Sequence, residues 1–334
     1  MSASSAIHNA YNILAQAQRK IEHLRDIDPY LIDLSLRENP VGARVGQTLA
    51  DKLAILPKVR EFGFRNILLG TLDYSYPDEL EVDDDFMMYL RDHRIDMSGC
   101  FAFTAIGIAA PDGTFTPDPS QLKLKAYGVP NTLHEIYLSN EGMQGLYDID
   151  TLRRSLPASI RWLNDNIRGD TICEENGGRP RILINIVDGC DAFAENPERT
   201  FSILQLLAQQ PIEGISIEDD RGTYLPFQVG ACVAAAREFL PAPFKLLVHM
   251  HAGGGFENAS VIEALLNGAD GVWGGLPKRA AIIGHASLGE LIANLVRVGN
   301  PHMPQHYDLQ QLLPLATGLQ QLDDEAQVPD DLPI

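Results

Sequence analysis

The sequence lacks any run of about 18 consecutive apolar residues, the length a helix needs to cross a bilayer, so no membrane span is expected. It is also poor in basic charge. The 26 lysines and arginines stand against 45 acidic residues, and the net charge of −19 would repel nucleic-acid backbones and anionic membrane surfaces. Cysteine is scarce: Cys100, Cys173, Cys190 and Cys232 form neither a close-spaced ligand set nor a disulfide framework, which suits a reducing cytoplasm. The opening stretch MSASSAIHNAYNILAQAQRK has no apolar signal core and reads as mature sequence. No glycine-rich dinucleotide turn follows the first apolar segment, and neither an internal repeat nor a linker calls for a second domain.

What is present is a globular composition, 45% apolar and 21% charged, on a chain of 334 residues that suits one large α/β domain. Apolar runs at 30–36, 66–70, 96–104, 133–139, 181–187, 213–218, 244–250 and 270–274 alternate with stretches of helical period such as 49–62, 150–167, 196–209 and 257–267. Short buried strands separated by helices imply parallel βαβ units, and eight of them predict a closed (β/α)8 TIM barrel. The expected layout is an N-terminal helix over 1–28, the barrel over 29–300, and a short helix with an acidic tail over 301–334. Residues 105–132, with AAPDGTFTPDPS, read as a long loop, either a flap or ordinary surface. EVDDD at 81–85 and DDEAQVPDD at 323–331 read as solvated or frayed stretches.

The strongest local feature is KLLVHMHAGGG. His249 and His251, two apart at the C-terminal end of an apolar strand, project from one face at the end where barrel enzymes place their sites. Paired imidazoles suit a divalent cation, although an isolated pair fits hydrogen-bonded or surface histidines as well. The first strand ends IDLSLREN, which sets Arg37 and Glu38 at the same rim. They form either a salt bridge at the barrel mouth or a ligand, Glu38, with an arginine to hold developing negative charge. Neighbouring strand residues face opposite ways, so both serve one site only if the chain turns, as the Asn39–Pro40 step allows.

IDLSLRE followed by VHMH resembles the DRE-TIM metallolyase superfamily, which includes isopropylmalate and homocitrate synthases, HMG-CoA lyase and hydroxy-oxovalerate aldolases. The likeness runs from about 30 to 298 and takes in IEDDRGTYLP, ENASVIEALLNGADGV and GHASLGELIANL. It implies a divalent metal (Mg, Mn or Zn) held by Glu38, His249 and His251. His285 stands where some members place an asparagine ligand. By the same resemblance Arg37 stabilises an enolate or alkoxide oxygen, and Asp219 is expected to contact substrate. Departures are plain: Asn39, Pro40 and Val41 replace the usual Gly-Glu-Gln, Ala252 and Gly253 replace Asn-Asp, and Trp273 occupies the place of the eighth-strand aspartate. An acidic residue usual in the second strand is lost within ILLG.

The resemblance implies condensation of acetyl-CoA or another acyl-CoA with a 2-oxo acid. The alternatives are an aldolase or lyase cleaving a 4-hydroxy-2-oxo acid or 3-hydroxy-acyl thioester, and a non-catalytic metal-binding barrel. The spacing from Trp273 to His285 is that of synthases and aldolases, without the cysteine of HMG-CoA lyases. His134, Tyr137, Glu218, Asp219 and His285 are candidates for the general base by position alone. Cys190 reads as a buried thiol, and Lys278 and Arg279 as surface residues that could also meet a phosphate or carboxylate. The expected partners are a small-molecule substrate and a second copy of the chain in a homodimer.

Overall fold

Parallel pairing of short, aliphatic-rich segments closes a ring of eight strands. In chain order they are β1 (Tyr30–Asp33), β2 (Ile67–Thr71), β3 (Cys100–Ala105), β4 (Asn131–Ile136), β5 (Ile182–Ile186), β6 (Gly214–Asp219), β7 (Lys245–Met250) and β8 (Gly271–Gly274). The ring closes where Tyr30–Asp33 runs in register with Gly271–Gly274. The computed structural model describes residues 3–36, 47–72, 77–170, 177–277 and 284–325. Among them, no helix is long and apolar enough to cross a membrane.

Side chains alternate between two cores. Ile32, Leu34, Leu68, Phe101, Phe103, Leu133, Leu183, Leu247 and Trp273 point inward and fill the barrel, whereas Leu31, Ile184, Ile217 and Val248 point outward beneath the helices. The floor of the barrel is polar and charge-paired. The buried Arg181 donates to the Tyr30 hydroxyl at 2.8 Å, to Asn66 Oδ1 at 2.7 Å and to Asp170 Oδ2 at 3.0 Å, and lies 4.8 Å over the Phe101 ring. Burial opposes the charge on Asp170, but hydrogen bonds from Asn131 and Gly99 and the Arg181 guanidinium hold its pKa below the ordinary carboxylate value.

Besides shorter strands at Tyr30–Asp33 and Cys100–Ala105 than the apolar runs 30–36 and 96–104, three regions differ from the sequence reading. The fourth strand begins at Asn131 rather than 133, because the Asn131 amide is itself part of the floor and bonds to Cys100 O at 2.9 Å. The expected loop over 105–132 holds a small hairpin, Ile108–Ala109 against Phe115–Thr116, and a helix at Pro119–Tyr127. Asp118 and Gln121 form a capping box at that helix start, and Gly128, at φ 73°, ends it. The hairpin is pinned to the helix Ile149–Asn166 through Ala109 N–H to Ser155 Oγ at 2.9 Å, so it is part of the barrel wall.

The third difference concerns EVDDD, which is not uniformly solvated. It lies on the helix Pro77–Asp92, whose inner face carries Asp83 to the buried Lys52 at 2.8 Å and to Thr71 N–H at 2.8 Å. Helical periodicity, not local charge, decided which of these acids turned inward.

The N-terminal helix Ala3–Asp26 docks by its last turns, where Arg25 Nε donates to Val298 O at 3.0 Å. The C-terminal part of the chain adds the helices Met303–His306 and Leu312–Glu325.

Replacing Arg181 with Ala should lower the unfolding free energy by about 3–5 kcal/mol, since it strands the buried Asp170 carboxylate. Urea denaturation measures this.

Candidate metal centre

β7 carries two imidazoles to the C-terminal rim. The inward His249 is fixed on two sides by Trp273: its Nδ1 donates to the Trp273 carbonyl at 2.8 Å, and its ring lies parallel to the indole at 3.6 Å between centroids and 7° between planes. The indole is anchored in turn by Nε1–H to Ser216 Oγ at 2.7 Å. A proton held on Nδ1 makes Nε2 the lone-pair nitrogen of His249, the tautomer a metal ligand needs. His251 follows on the same face, its ring 4.8 Å from that of His249 and nearly perpendicular to it.

The register of β6 with β7 sets Glu218 opposite His249. Glu218 Oε1 lies 3.1 Å from His251 Nε2, and Oε2 accepts from Asn185 Nδ2 at 2.6 Å. One ligand atom each from Glu218, His249 and His251 falls within 4.8 Å of the others. One carboxylate and two imidazoles suit a borderline divalent metal such as zinc or manganese.

Two further observations fit a cation there. Buried Asn185 Oδ1 accepts no hydrogen bond from the described residues, which leaves an acceptor for a water or substrate hydroxyl. Asp220 is pushed up to about 6 by burial first, then by the charges of Glu218 and Asp191, an excess of acid that a divalent ion would relieve.

The remaining sequence candidates are placed as follows. Arg37 and Glu38 lie outside the described residues, as do Lys278 and Arg279. The chain entering Arg37 is firmly tied: Gln47 Nε2 donates to Ser35 O at 2.7 Å, Leu276 N–H to Ser35 Oγ at 3.1 Å, and the buried Lys52 to Leu36 O. His285 is brought beside the pair by an antiparallel bridge to His251, its ring 5.1 Å from that of His249, though it falls outside the compact donor group. The Asp219 carboxylate faces the loop after β6 and accepts from Tyr224 N–H at 2.9 Å and Thr223 N–H at 3.3 Å.

Tyr137 is raised by burial and then by Glu135, Glu218 and Asp188, so it is a neutral phenol at neutral pH and a donor rather than a base. Cys190 is raised by its hydrogen bond to Cys232 and by burial, which leaves it a poor nucleophile.

Glu218 entered the sequence reading only as a possible base, and Asn185 not at all. The signal was the two-residue alternation of GISIED, which sends Gly214, Ser216 and Glu218 inward. Trp273 registered as a missing aspartate; nothing in the sequence pointed to its stacking role.

His134 faces away from the site. It is fully buried between β4 and the helix behind it, with Nδ1 2.7 Å from Thr104 Oγ1 and Nε2 3.1 Å from Ser159 Oγ, and burial lowers its pKa to about 4. The unfolded chain takes up this proton near 6.5 and the folded chain only near 4. Its contribution is therefore intact above pH 6.5 and lost as pH falls toward 4, by about 3 kcal/mol. Urea titrations of His134→Gln should show that much less pH dependence between pH 6.5 and 4 than the parent.

No protein-family profile matches the chain. It is 22% identical over 277 residues to the (R)-citramalate synthase of Streptomyces coelicolor, a match covering 83% of this chain and 48% of the relative, so the chain spans about half that protein's length. Among solved structures, the HMG-CoA lyase of Brucella melitensis superposes with a TM-score of 0.68 at 16% identity, covering 90% of this chain and 100% of the other. The carboxyl transferase domain of Rhizobium etli pyruvate carboxylase, solved with pyruvate, gives 0.62 at 13% identity, covering 95% and 51%. The chain thus has the barrel fold of these enzymes and a distant sequence likeness to a citramalate synthase that runs through most of its length.

Proposed function

We propose that the chain is a divalent-metal-dependent enzyme that condenses an acyl-CoA with a 2-oxo acid. The observation that carries this reading is the pair His249 and His251, with the Glu218 carboxylate beside it, at the C-terminal end of a barrel similar over most of its length to a citramalate synthase. In this reading His249, His251 and Glu38 hold the metal, and Glu218 and His285 flank it. When bound, the ion supplies Lewis acidity toward the keto and carboxylate oxygens of the 2-oxo acid.

The protein supplies the rest. Arg37 stabilises oxyanion charge at the reacting carbonyl. Glu218, oriented by Asn185, accepts a proton at Oε1, and the Tyr137 phenol, kept protonated by burial, offers a hydrogen bond. Trp273 and Phe103, their rings 5.5 Å apart, close the barrel beneath the site and exclude water from below. The second reading is retro-aldol cleavage of a 4-hydroxy-2-oxo acid, in which the 4-hydroxyl loses its proton, the C3–C4 bond breaks, and an aldehyde and a pyruvate enolate are left for the same rim to hold.

Purified protein with Mg2+, Mn2+ or Zn2+ should release free thiol from acetyl-CoA when given its 2-oxo acid, as water hydrolyses the thioester of the condensed product. Pyruvate formed from 4-hydroxy-2-oxo acids without a thioester would assign the aldolase instead. Silence in both assays with metal bound would leave a non-catalytic barrel. The His249→Ala/His251→Ala variant should lose the rim metal by elemental analysis, and unchanged content would refute the site. Glu218→Gln should lower kcat by about 100-fold or more while the protein stays folded.

The exposed stripe Ile7, Tyr11 and Leu14 on the N-terminal helix fits an interface between two copies of the chain. Replacing Ile7 and Leu14 with Glu should convert a dimer to a monomer in sedimentation.

A further inference from the structure

Three metal-ligating side chains meet at the other end of the barrel, away from the rim. Asp28 precedes β1, and His302 and His306 lie four residues apart on one turn of chain, so both imidazoles point to the same side. His306 Nε2 lies 3.1 Å from both oxygens of Asp28, and His302 Nδ1 lies 3.9 Å from Oδ2. The two rings are nearly parallel, 15° between planes, and one ligand atom from each of the three residues falls within 4.8 Å of the others.

The backbone under this group is clamped independently of it. Asn300 Nδ2 donates to Leu24 O at 3.0 Å and Ile27 O at 2.7 Å, and its Oδ1 accepts from His302 N–H at 2.9 Å and Met303 N–H at 3.3 Å. One side chain thus ties the segment bearing Asp28 to the segment bearing both histidines. The donors are held near one another before any ion arrives.

We propose that Asp28, His302 and His306 form a second divalent transition-metal site, separate from the rim centre. Tetrahedral zinc with bonds of about 2.0–2.1 Å sets its donors about 3.4 Å apart. The observed separations bracket that figure, and side chains 49%, 32% and 41% exposed close the difference by small rotations. Two imidazoles and one carboxylate select zinc, cobalt, nickel or copper over magnesium or calcium, which prefer all-oxygen shells. The exposure leaves room for water as a fourth ligand. A bound ion would staple the entry to β1 to the chain beyond the barrel, in addition to the Asn300 clamp.

Zinc titration of the chelator-stripped full chain, followed by calorimetry, tests this. The parent should bind two equivalents. His302→Ala/His306→Ala should bind one and keep the rim metal. His249→Ala/His251→Ala should also bind one, and cobalt loaded into it should show the visible absorption of a four-coordinate site. Asp28→Asn should weaken the second equivalent by at least tenfold without altering the circular dichroism of the apoprotein. If His302→Ala/His306→Ala binds as much zinc as the parent, the second site does not exist, whatever becomes of the rim centre. Loss of the rim equivalent alone would overturn the proposed function and leave this site standing.

Discussion

A side chain that points into an eight-stranded barrel meets no water until the barrel ends. Polar groups on the inner face therefore gather at the two mouths, and one between them must be paired, as Ser216 is with the Trp273 indole. Here the plug of Leu, Ile, Phe and Trp side chains divides the interior into a sealed floor and an open rim. The floor satisfies its charge internally through Arg181 and Asp170. The rim gathers Glu218, His249 and His251 into a group whose acid and imidazoles suit a cation. The same alternation, applied to the two ends of the same strands, produces a paired floor at one and a cluster of metal-ligating side chains at the other.

Trp273 joins the plug to the rim. Its indole is the top of the apolar filling, its carbonyl takes the Nδ1 proton of His249, and its ring face carries the imidazole. An aspartate at this position would hold a histidine by charge; a tryptophan holds it by shape and by a backbone carbonyl, without adding to an already acidic neighbourhood. Tryptophan at this strand therefore supports the imidazole through stacking and its own carbonyl.

The barrel was legible because its strands are apolar runs with helices between them, a pattern set by burial alone. The histidine pair was legible because its spacing matches strand periodicity. Glu218 was obscured by its neighbours: IEDD offers three carboxylates in a row, and the strand alternation that turns Glu218 inward does not say that it meets the histidines, which the register with β7 decides. His134 was misleading for the converse reason, since a histidine near a strand end reads the same whether it faces the site or the helix behind. Asp83 and the helix Pro119–Tyr127 were missed because local composition, an acid cluster and a proline- and glycine-rich stretch, outweighed the helical period that packing rewards. No local signal announces Arg181, whose partners lie on four other parts of the chain.

The stacking of His249 on Trp273 has an optical consequence. The chain has two tryptophans, and the other, Trp162, lies on the helix behind the wall beside Lys125. One indole is thus in van der Waals contact with a proposed ligand, and the other is remote from it. Any ion that draws electron density from the imidazole, or any substrate that displaces water above it, changes the surroundings of Trp273 alone. The barrel carries a built-in fluorophore at the floor of its own site, with the second tryptophan as an internal reference.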